Sequence, residues 1–456
     1  MFLFEKEFSI PAAPGHNALL SHVAQALQFR LSDKSYPLRF AITESDSDQY
    51  RCEVGVLKGS PWPSASKLDS IFRFAHRAME NTDSFNAVLL VPTGIGAEIG
   101  GHAGDAMPAA RLLAEICDTL VTHPNVVNAS DINEIPENAL YVEGSVISRL
   151  LMGTVGLQRV RANRVLVVID AHKDKMFVNA AVNAVSAARA SYGFHCPRVV
   201  QMEPPVKLKS RYTDSGRAVG EVENINYLCQ ILEEYQDEYD AVAISSVIDV
   251  PHSYHQEYFD RQGEMVNPWG GVEAMLTHVI SSFFNVPSAH SPMFESREIA
   301  NVDPGIVEPR LAAEAVSITF LQCVLKGLQR SPRIIVDEST QQHPGVLSAA
   351  DISCLVIPDG CLGMPTLAAL EQGIPVIAVR ENKNLMKNNL TALPWAPGQL
   401  HVVENYWEAV GVMTAMKAGI EPASVRRPLA ATITEKKILR ESKPEGSEKE
   451  QSIEAG

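Results

Sequence analysis

The chain has 456 residues and a formal net charge of −15, with 46% hydrophobic and 20% charged residues. This composition is ordinary for a globular protein of more than one domain. The acidic balance argues against nucleic acid and against anionic membranes as partners, because both require a basic face. No apolar run reaches the roughly 18 residues that a membrane span needs, so we expect no membrane partner.

The first residues, MFLFEKEFSIPAAPGH, have no basic leader ahead of a long apolar core, so they are not predicted to be a secretory signal. The seven cysteines are scattered and form no CxxC pair. This pattern is typical of a reduced compartment, in which cysteines serve as small apolar fillers. We therefore predict a cytoplasmic protein.

The N-terminal part, residues 1–80, predicts a small α+β unit. The segments LFEKEFSIP, LRFAITES and YRCEVGVL have the composition of short strands, and residues 17–31 have the periodicity of an amphipathic helix. A Ser- and Pro-rich segment, residues 58–67, is predicted to close the unit as a linker.

From residue 84 onward, short apolar strands alternate with helical segments. Strands are predicted at residues 87–92, 119–123, 139–142, 164–170, 198–202 and 240–250, with helices at 106–117, 177–192 and 221–236. Almost purely apolar strands such as VLVVID are typical of a parallel sheet covered on both faces. We predict an α/β fold with doubly wound, mostly parallel sheets of Rossmann type, whose first domain spans residues 81–300.

A second α/β unit is predicted over residues 301–425. A helical run at 305–330 precedes buried strands at 333–336, 352–359 and 375–380, and a helix is predicted at 366–372. Half of residues 435–456 are charged, and we therefore predict a disordered polar tail over residues 426–456.

The most glycine-rich loop, VPTGIGAEIGGHAGDA, lies between a predicted strand and a predicted helix. Its candidate ligand-binding residues are Gly94, Gly96, Gly100 and Gly101. Two interpretations stay open: backbone N–H groups that bind an anion at the start of a helix, or a tight turn that needs unusual φ values. A P-loop is rejected because His102 occupies the position of the required lysine. His102 is instead a candidate for acid–base catalysis.

A dense polar segment, THPNVVNASDINE, follows the next predicted strand. His123, Asn125 and Asn128 are candidate ligand-binding residues there, and Asp131 is a candidate acid or base. Open α/β sheets bind ligands at the carboxyl ends of their strands, which favours a functional interpretation of this cluster. Asn and Asp are also common turn and capping residues, so the structural interpretation stays open.

Two further glycines precede a predicted helix in NPWGGVEA. Gly270 and Gly271 repeat the arrangement of a close-approach loop at a helix N-terminus, and they are predicted to contact the ligand. Glu273, in the first turn, suits the helix dipole without any function. His290, in PSAHSP, is a candidate general base.

A histidine-rich segment, SSVIDVPHSYHQEY, offers the only ligand triplet for a metal. Asp249, His252 and His255 recur every three residues, and such side chains bind zinc and other divalent ions. Pro251 interrupts the helix that would place them on one face. We therefore assign no metal site.

The segment SAADISCLVIPDGCLGMPTLAALEQGIPVIAVREN contains a strand, a glycine-rich turn, a helix and a second strand. It resembles the C-terminal nucleotide-sugar site of GT-B-type glycosyltransferases and of UDP-sugar 2-epimerases. The candidate ligand-binding residues are Asp359, Gly360, Gly363, Thr366 and Arg380. The resemblance implies a nucleotide-linked sugar at this turn.

Residues 84 to about 410 resemble a family of uncharacterised proteins of cyanobacteria and plastids, the domain of unknown function 3326. The motifs that carry this resemblance are PTGIGAEIGGHAGDA, HPNVVNASDINE, NPWGGVEA and DGCLGMPTLAA. The resemblance implies a photosynthetic cell as the source but no reaction.

The leading hypothesis is an enzyme or sensor that binds a phosphorylated or otherwise anionic small molecule between α/β units. Both glycine-rich turns are expected to open onto one crevice, because each follows a buried strand. If the protein is a catalyst, transfer or epimerisation on a nucleotide-linked sugar is expected. The alternatives are a non-catalytic assembly or regulatory factor that binds a protein, and a metal-dependent hydrolase. No cofactor is identified, and homo-oligomerisation stays open.

Overall fold

The computed structural model describes residues 1–13, 19–31, 34–59, 70–317 and 320–438. Its strands are β1 (Phe2–Pro11), β2 (Ser35–Ser45), β3 (Gln49–Lys58), β4 (Asn86–Leu89), β5 (Thr119–Thr122), β6 (Ala139–Tyr141), β7 (Gly156–Gln158), β8 (Val165–Asp170), β9 (Val199–Met202), β10 (Lys207–Tyr212), β11 (Ala218–Glu223), β12 (Ala241–Asp249), β13 (Ser288–Met293), β14 (Arg333–Ile335), β15 (Val346–Leu347), β16 (Ile352–Pro358), β17 (Leu362–Gly363), β18 (Val376–Val379) and β19 (Leu400–Val403).

The helices within the same residues are α1 (Leu19–Gln28), α2 (Met107–Ala114), α3 (Gly144–Leu151), α4 (Lys175–Tyr192), α5 (Ile225–Glu234), α6 (Tyr254–Asp260), α7 (Gly270–Phe284), α8 (Arg297–Ala300), α9 (Pro309–Ala315), α10 (Phe320–Gln329), α11 (Glu338–Gln341), α12 (Met364–Gln372) and α13 (Tyr406–Lys417). The protein is therefore a mixed α/β structure.

One sheet is parallel throughout, with its strands in the order β19-β18-β16-β4-β5-β6. β4, β16 and β18 are buried along their whole length, which explains their almost purely apolar sequences. Helix α2 packs against α13, and α12 packs against α3. Because β4 and β16 are parallel neighbours, their carboxyl ends lie side by side.

A second, larger sheet is mixed, in the order β17-β2-β3-β1-β11-β10-β12-β8-β9, with β13 paired to β12. β8, β9, β12 and β13 pair in parallel, and β10 also pairs with β12 in parallel. The remaining pairs, among β1, β2, β3, β10, β11 and β17, are antiparallel. The hairpin β10–β11 was not predicted. The helix predicted to begin at residue 221 begins at Ile225, because β11 pairs with both β1 and β10. A small third sheet has the order β14-β7-β15.

The three N-terminal strands and α1 occur where they were predicted. The three strands are part of the larger sheet. β1 pairs with β11, and β2 pairs with β17, the short strand in the turn after β16. The parallel sheet likewise combines strands from both sides of residue 300. Both large sheets thus cross the predicted domain boundaries, which stay predictions.

The predicted helical run at 305–330 is two helices, α9 and α10, whose axes differ by 90°. Val316 and Ser317 follow α9, and both residue types have lower helix propensity than the alanines that precede them. In the predicted tail, residues 426–438 are exposed and contain no helix or strand, whereas residues 439–456 lie outside the described residues. Most of the predicted linker, residues 60–67, also lies outside them.

Candidate functional site

A cavity of about 420 Å³ lies at the carboxyl ends of the parallel strands. Residues that follow four of these strands line it: Thr93 after β4, His123 after β5, Glu143 after β6 and Cys361 after β16. Its volume is within the range of about 300–1,000 Å³ that is usual for small-molecule sites. Gly94, Gly101 and Gly363 also line it, so the two glycine-rich loops open onto one cavity, as expected.

Helix α7 forms a long wall of the cavity. Its lining residues are Gly270, Glu273, Ala274, Thr277, His278 and Ser282. They recur at the spacing of one helix face, so the side chains of successive turns point into the same space. A Cβ atom at Gly270 would lie 2.8 Å from Cγ2 of Thr93, which shows how closely the helix approaches the first glycine loop.

An acid–base chain begins at the cavity and runs into the protein from Glu273. Oε1 of Glu273 lies 2.8 Å from Nδ1 of His290, and Nε2 of His290 lies 2.7 Å from Oγ of Ser246. The side chain of Glu273 is 24% exposed and that of His290 is buried, and both residues line the cavity. Because a carboxylate only accepts, Nδ1 donates to Glu273, and in the neutral imidazole Nε2 then accepts from the hydroxyl of Ser246. The arrangement presents a carboxylate, rather than the serine, to the cavity.

A second carboxylate–histidine pair lies one turn further along α7. Nδ1 of His278 is 3.5 Å from Oε1 of Glu143, and both side chains line the cavity. Glu143 also caps α3 by accepting from the backbone N–H of Ser145. Burial lowers the pKa of His278, the charge of Glu143 opposes this effect, and the charge of Arg39 adds to it. His278 is therefore held neutral near pH 7.

A third network joins the first glycine loop to α9. Nδ1 of His102 lies 2.8 Å from the hydroxyl oxygen of Tyr258, and that hydroxyl donates to Oε2 of Glu314 at 2.8 Å. Glu314 lines the cavity, whereas His102 lies behind Tyr258. Burial raises the pKa of Glu314 to about 7 and lowers the pKa of His102 to about 4. Glu314 is thus able to carry a proton at neutral pH, whereas His102 is neutral there.

Several polar groups of the first glycine loop are hydrogen-bonded within the protein. The N–H of Ile99 donates to the side chain of Asn382, and that of Gly100 donates to Asp105. Gly94 has a φ of +76°, and a Cβ atom there would lie 2.3 Å from the carbonyl oxygen of Ala218. Close packing of the backbone therefore accounts for the glycine at position 94. Gly96 and Gly100 do not line the cavity.

The predicted polar edge lines the cavity, and its side chains also hold the loop. Nε2 of His123 accepts from the N–H of Val91, and burial lowers the pKa of His123 to about 3. Asn125 donates to the carbonyls of Val91 and Gly100. The side-chain oxygen of Asn128 is buried without a partner among the described residues. Asp131 does not line the cavity, and burial raises its pKa to about 6.

Several other predicted site residues lie outside the cavity lining: Gly271, Asp359, Gly360, Thr366 and Arg380. Thr366 is buried and donates to the carbonyl of Cys361, within the turn itself. The guanidinium of Arg380 pairs with Glu404 at 2.7 Å, and both side chains are more than half exposed. Thr366 and Arg380 thus have partners within the protein and do not line the cavity.

The predicted metal triplet is spread over β12 and the start of α6. His252 is exposed and lies 4.0 Å from Glu298, whereas the ring of His255 packs against Trp269 with centroids 5.5 Å apart. Among the residues that the structure describes, no group of three His, Cys, Asp or Glu side chains is arranged to hold a metal ion. His255 lines the cavity as a single half-buried side chain.

In the described part of the chain, no single helix is long and apolar enough to cross a bilayer. The bent pair α9–α10 meets the criteria of length and composition only when its two helices are taken together.

The family described as a protein of unknown function (DUF3326) matches residues 86–426. The chain belongs to this family. An uncharacterised lipoprotein of Synechococcus sp. is 34% identical to it over 346 residues, which are 75% of this chain and 93% of the relative. No solved structure matches the chain. The resemblance to the DUF3326 family in the motifs is thus confirmed, and the matched range begins at β4.

Seven arginine, glutamate or histidine residues of the cavity lining were not predicted from the sequence: Arg39, Glu143, Arg149, Arg217, His278, Glu295 and Glu314. Glu273 was expected only to complement a helix dipole. One signal for Arg39 was present, because an arginine interrupts the apolar strand LRFAITES. For Glu273 the signal was its position in the first turn of α7.

Proposed function

We propose that this protein is an enzyme that binds a small anionic molecule in the cavity and moves a proton on it, with Glu273 as the general base. The observation that carries this proposal is the chain from Glu273 through His290 to Ser246, which opens onto the cavity at its carboxylate end. A hydrogen bond from the imidazole N–H stabilises the ionised form of Glu273, which is the form that can accept a proton from a substrate. Epimerisation or isomerisation next to a carbonyl group is the reaction class that fits.

The strand order of the parallel sheet supports a ligand at this place. In order of sequence, its strands read 3-2-1-4-5-6 from β6 to β19. This is the order of doubly wound dinucleotide-binding folds, in which ligands bind where the order reverses, between the first and fourth strands. Here those strands are β4 and β16, and both of their loops line the cavity. We propose that α2 and α12 cover opposite faces of a Rossmann-like sheet.

Glu314 is proposed as the acid that complements this base. It faces the same cavity, and the charge of Glu273 contributes to raising its pKa. Enzymes that shuttle protons commonly hold two carboxyl groups in environments that separate their pKa values. In this assignment His102 orients Tyr258, and Asp131 has no direct role.

Exchange of hydrogen for deuterium tests the proposal even when the product is not known. Nucleotide sugars, sugar phosphates and small carboxylic acids would each be incubated with the protein in D2O, and loss of C–H signals would be followed by proton NMR. We expect one of these classes to exchange with the wild type. Exchange is expected to be roughly 100-fold slower or more in Glu273→Gln, the usual contribution of a general base.

Glu404→Gln is the matched control, because Glu404 is an exposed carboxylate paired with Arg380 away from the cavity. It is expected to exchange at the wild-type rate. Equal exchange rates in wild type and Glu273→Gln would refute the general base. If no compound exchanges and none raises the melting temperature, the alternative of a non-catalytic factor that binds a protein partner is favoured.

We also propose that the protein is cytoplasmic, as the cysteine pattern predicts. All seven cysteines are free, and six of them are buried. Cell fractionation followed by immunoblotting tests this location. The relative in Synechococcus sp. is named a lipoprotein, so recovery of this protein in the membrane fraction, released only by detergent, is the result that would refute a cytoplasmic location.

A further inference from the structure

A buried ion pair reaches the cavity from the N-terminal strands. Arg39 of β2 lines the cavity with 15% of its side chain exposed, whereas the side chain of Glu5 behind it is 1% exposed. Nε of Arg39 lies 3.7 Å from Oε1 of Glu5, which is too long for a hydrogen bond. Within the described residues, neither this guanidinium nor either oxygen of Glu5 has a hydrogen-bond partner.

The sheet directs this guanidinium towards the cavity. Arg39 lies opposite Gly55 in the β2–β3 ladder, and Gly55 lies opposite Glu5 in the β1–β3 ladder. The missing side chain at Gly55 leaves room for the arginine stem to pass over β3. β2 also pairs with β17, with Ala41 opposite Gly363, so Arg39 is brought beside the turn that follows β16.

Among the described residues, Arg39 therefore has donors without a protein acceptor at the cavity wall, where 15% of its side chain is exposed. A guanidinium carries five N–H donors in a planar fork, and that fork matches a carboxylate bidentately. A buried donor without an acceptor costs stability, and a ligand oxygen would relieve that cost. Burial lowers the pKa of Arg39, and the charge of Glu5 opposes the effect. The pair thus keeps the arginine charged in the cavity wall.

The charge balance of this wall selects the kind of anion. Two arginines, Arg39 and Arg217, lie beside two carboxylates, Glu5 and Glu53, and all four side chains are buried or nearly so. The rest of the cavity lining adds one arginine, Arg149, and four glutamates, so the site has no excess of positive charge. A monoanion adds one uncompensated charge there, whereas a phosphate dianion adds two. Since burial of unpaired charge is costly, the monoanion is favoured.

We propose that Arg39 binds the carboxylate group of a monoanionic ligand whose apolar body lies in the remaining cavity. This assignment names the ligand class of the cavity and rests on the proposed function. The lining also offers apolar side chains near the arginine: Leu38 and Phe40 flank it in β2, and Leu362 and Met364 follow the β2–β17 pairing. Such surfaces accommodate an alkyl or aromatic body.

Isothermal titration calorimetry with three six-carbon probes tests the assignment: hexanoate, hexanamide and hexyl phosphate. We expect hexanoate to bind the wild type. Hexanamide should bind roughly tenfold more weakly or worse, because a hydrogen bond to a charged group is stronger than one to a neutral group. Hexyl phosphate should be weakened by a similar factor, because its second charge has no partner among the described cavity residues. Arg39→Gln is expected to weaken hexanoate by roughly tenfold or more. Absence of hexanoate binding, or tighter binding of hexyl phosphate, would overturn the assignment.

Arg380→Gln is the matched control, because it removes an exposed, paired guanidinium that does not line the cavity. It is expected to bind hexanoate like the wild type. Because Arg39→Gln leaves Glu5 buried without its partner, the double variant Glu5→Gln/Arg39→Gln removes both charges and keeps the test valid if the single variant unfolds. Wild-type affinity for hexanoate in the folded double variant would refute a role of Arg39.

The two proposals fail in different ways. If hexanoate binding depends on Arg39 but deuterium exchange does not depend on Glu273, only the general base is refuted. If exchange depends on Glu273 but hexanoate binds equally to wild type and Arg39→Gln, only the carboxylate anchor is refuted.

Discussion

Gly55 lies directly opposite Arg39 in the β2–β3 ladder, and a Cβ atom at position 55 would lie 2.7 Å from Cγ of Arg39. The same Cβ atom would lie 3.3 Å from Oε2 of Glu5. The absence of one side chain therefore determines the path of the arginine into the cavity.

Gly55→Ala is expected to weaken hexanoate binding several-fold, because the arginine stem must move from its position over β3. The free energy of unfolding is expected to fall by about 1–3 kcal/mol, the usual cost of overpacking, because the new Cβ atom would overlap Cγ of a mostly buried arginine. Calorimetry and urea denaturation measure the two quantities. Gly411→Ala, at an open position in α13, is the control and is expected to leave binding unchanged. Unaltered affinity in Gly55→Ala would contradict this account.

Gly94→Ala is expected to destabilise the protein through backbone crowding. Gly94 and Gly398 have similar φ angles, +76° and +78°, but only at Gly94 would a Cβ atom meet another atom, the carbonyl oxygen of Ala218 at 2.3 Å. Gly94→Ala should therefore cost about 1–3 kcal/mol more than Gly398→Ala, the usual cost of overpacking. Urea denaturation of both variants measures the difference. Equal losses would show that only the backbone conformation matters.

Glu314→Gln is expected to change how stability depends on pH. Burial raises the pKa of Glu314 to about 7 from its ordinary value of 4.5, which applies in the unfolded chain. An acid with a raised pKa in the folded state contributes stability that is present below about pH 4.5 and is lost as the pH rises through about 7. Relative to the variant, the free energy of unfolding of the wild type should fall by up to about 1.4 kcal/mol per pH unit between about pH 4.5 and pH 7. Urea midpoints between pH 4 and pH 8 measure this difference, and parallel curves would refute the shift.

Arg217→Met is expected to destabilise the protein by about 3–5 kcal/mol, because it leaves the carboxylate of Glu53 buried without its cation. Both side chains of this pair are 2% exposed or less. The double variant Arg217→Met/Glu53→Gln should recover much of the loss, since no unpaired charge remains. Arg380→Met, at an exposed pair, should cost no more than about 1 kcal/mol. Chemical denaturation distinguishes these outcomes, and a double variant no more stable than Arg217→Met would contradict them.

Local patterns were sufficient to predict many of the elements. β4, β5 and β8 begin and end within a few residues of the predicted positions, because short apolar runs identify buried strands. Helix α4 ends at Tyr192, and Gly193, with a φ of +68°, caps it. The hairpin β10–β11 was missed because its polar and small residues have no strong strand periodicity, and its pairing partners are β1 and β12.

For the candidate site, the sequence alone located the glycine and asparagine loops at the ends of parallel strands, because that placement follows from the βα alternation. It also identified His290 as a candidate base. Only the tertiary structure decided what these groups contact: Asn125 holds the carbonyls of its own loop, whereas Glu273 presents its carboxylate to the cavity. The buried pair of Arg217 and Glu53 was not predictable either, because its contacts also depend on the tertiary structure. Arg217 and Glu53 are 164 positions apart in sequence, and only strand pairing decides that both are buried together. Periodicity is a property of neighbouring residues, whereas the burial of a charge depends on which distant strand supplies its partner.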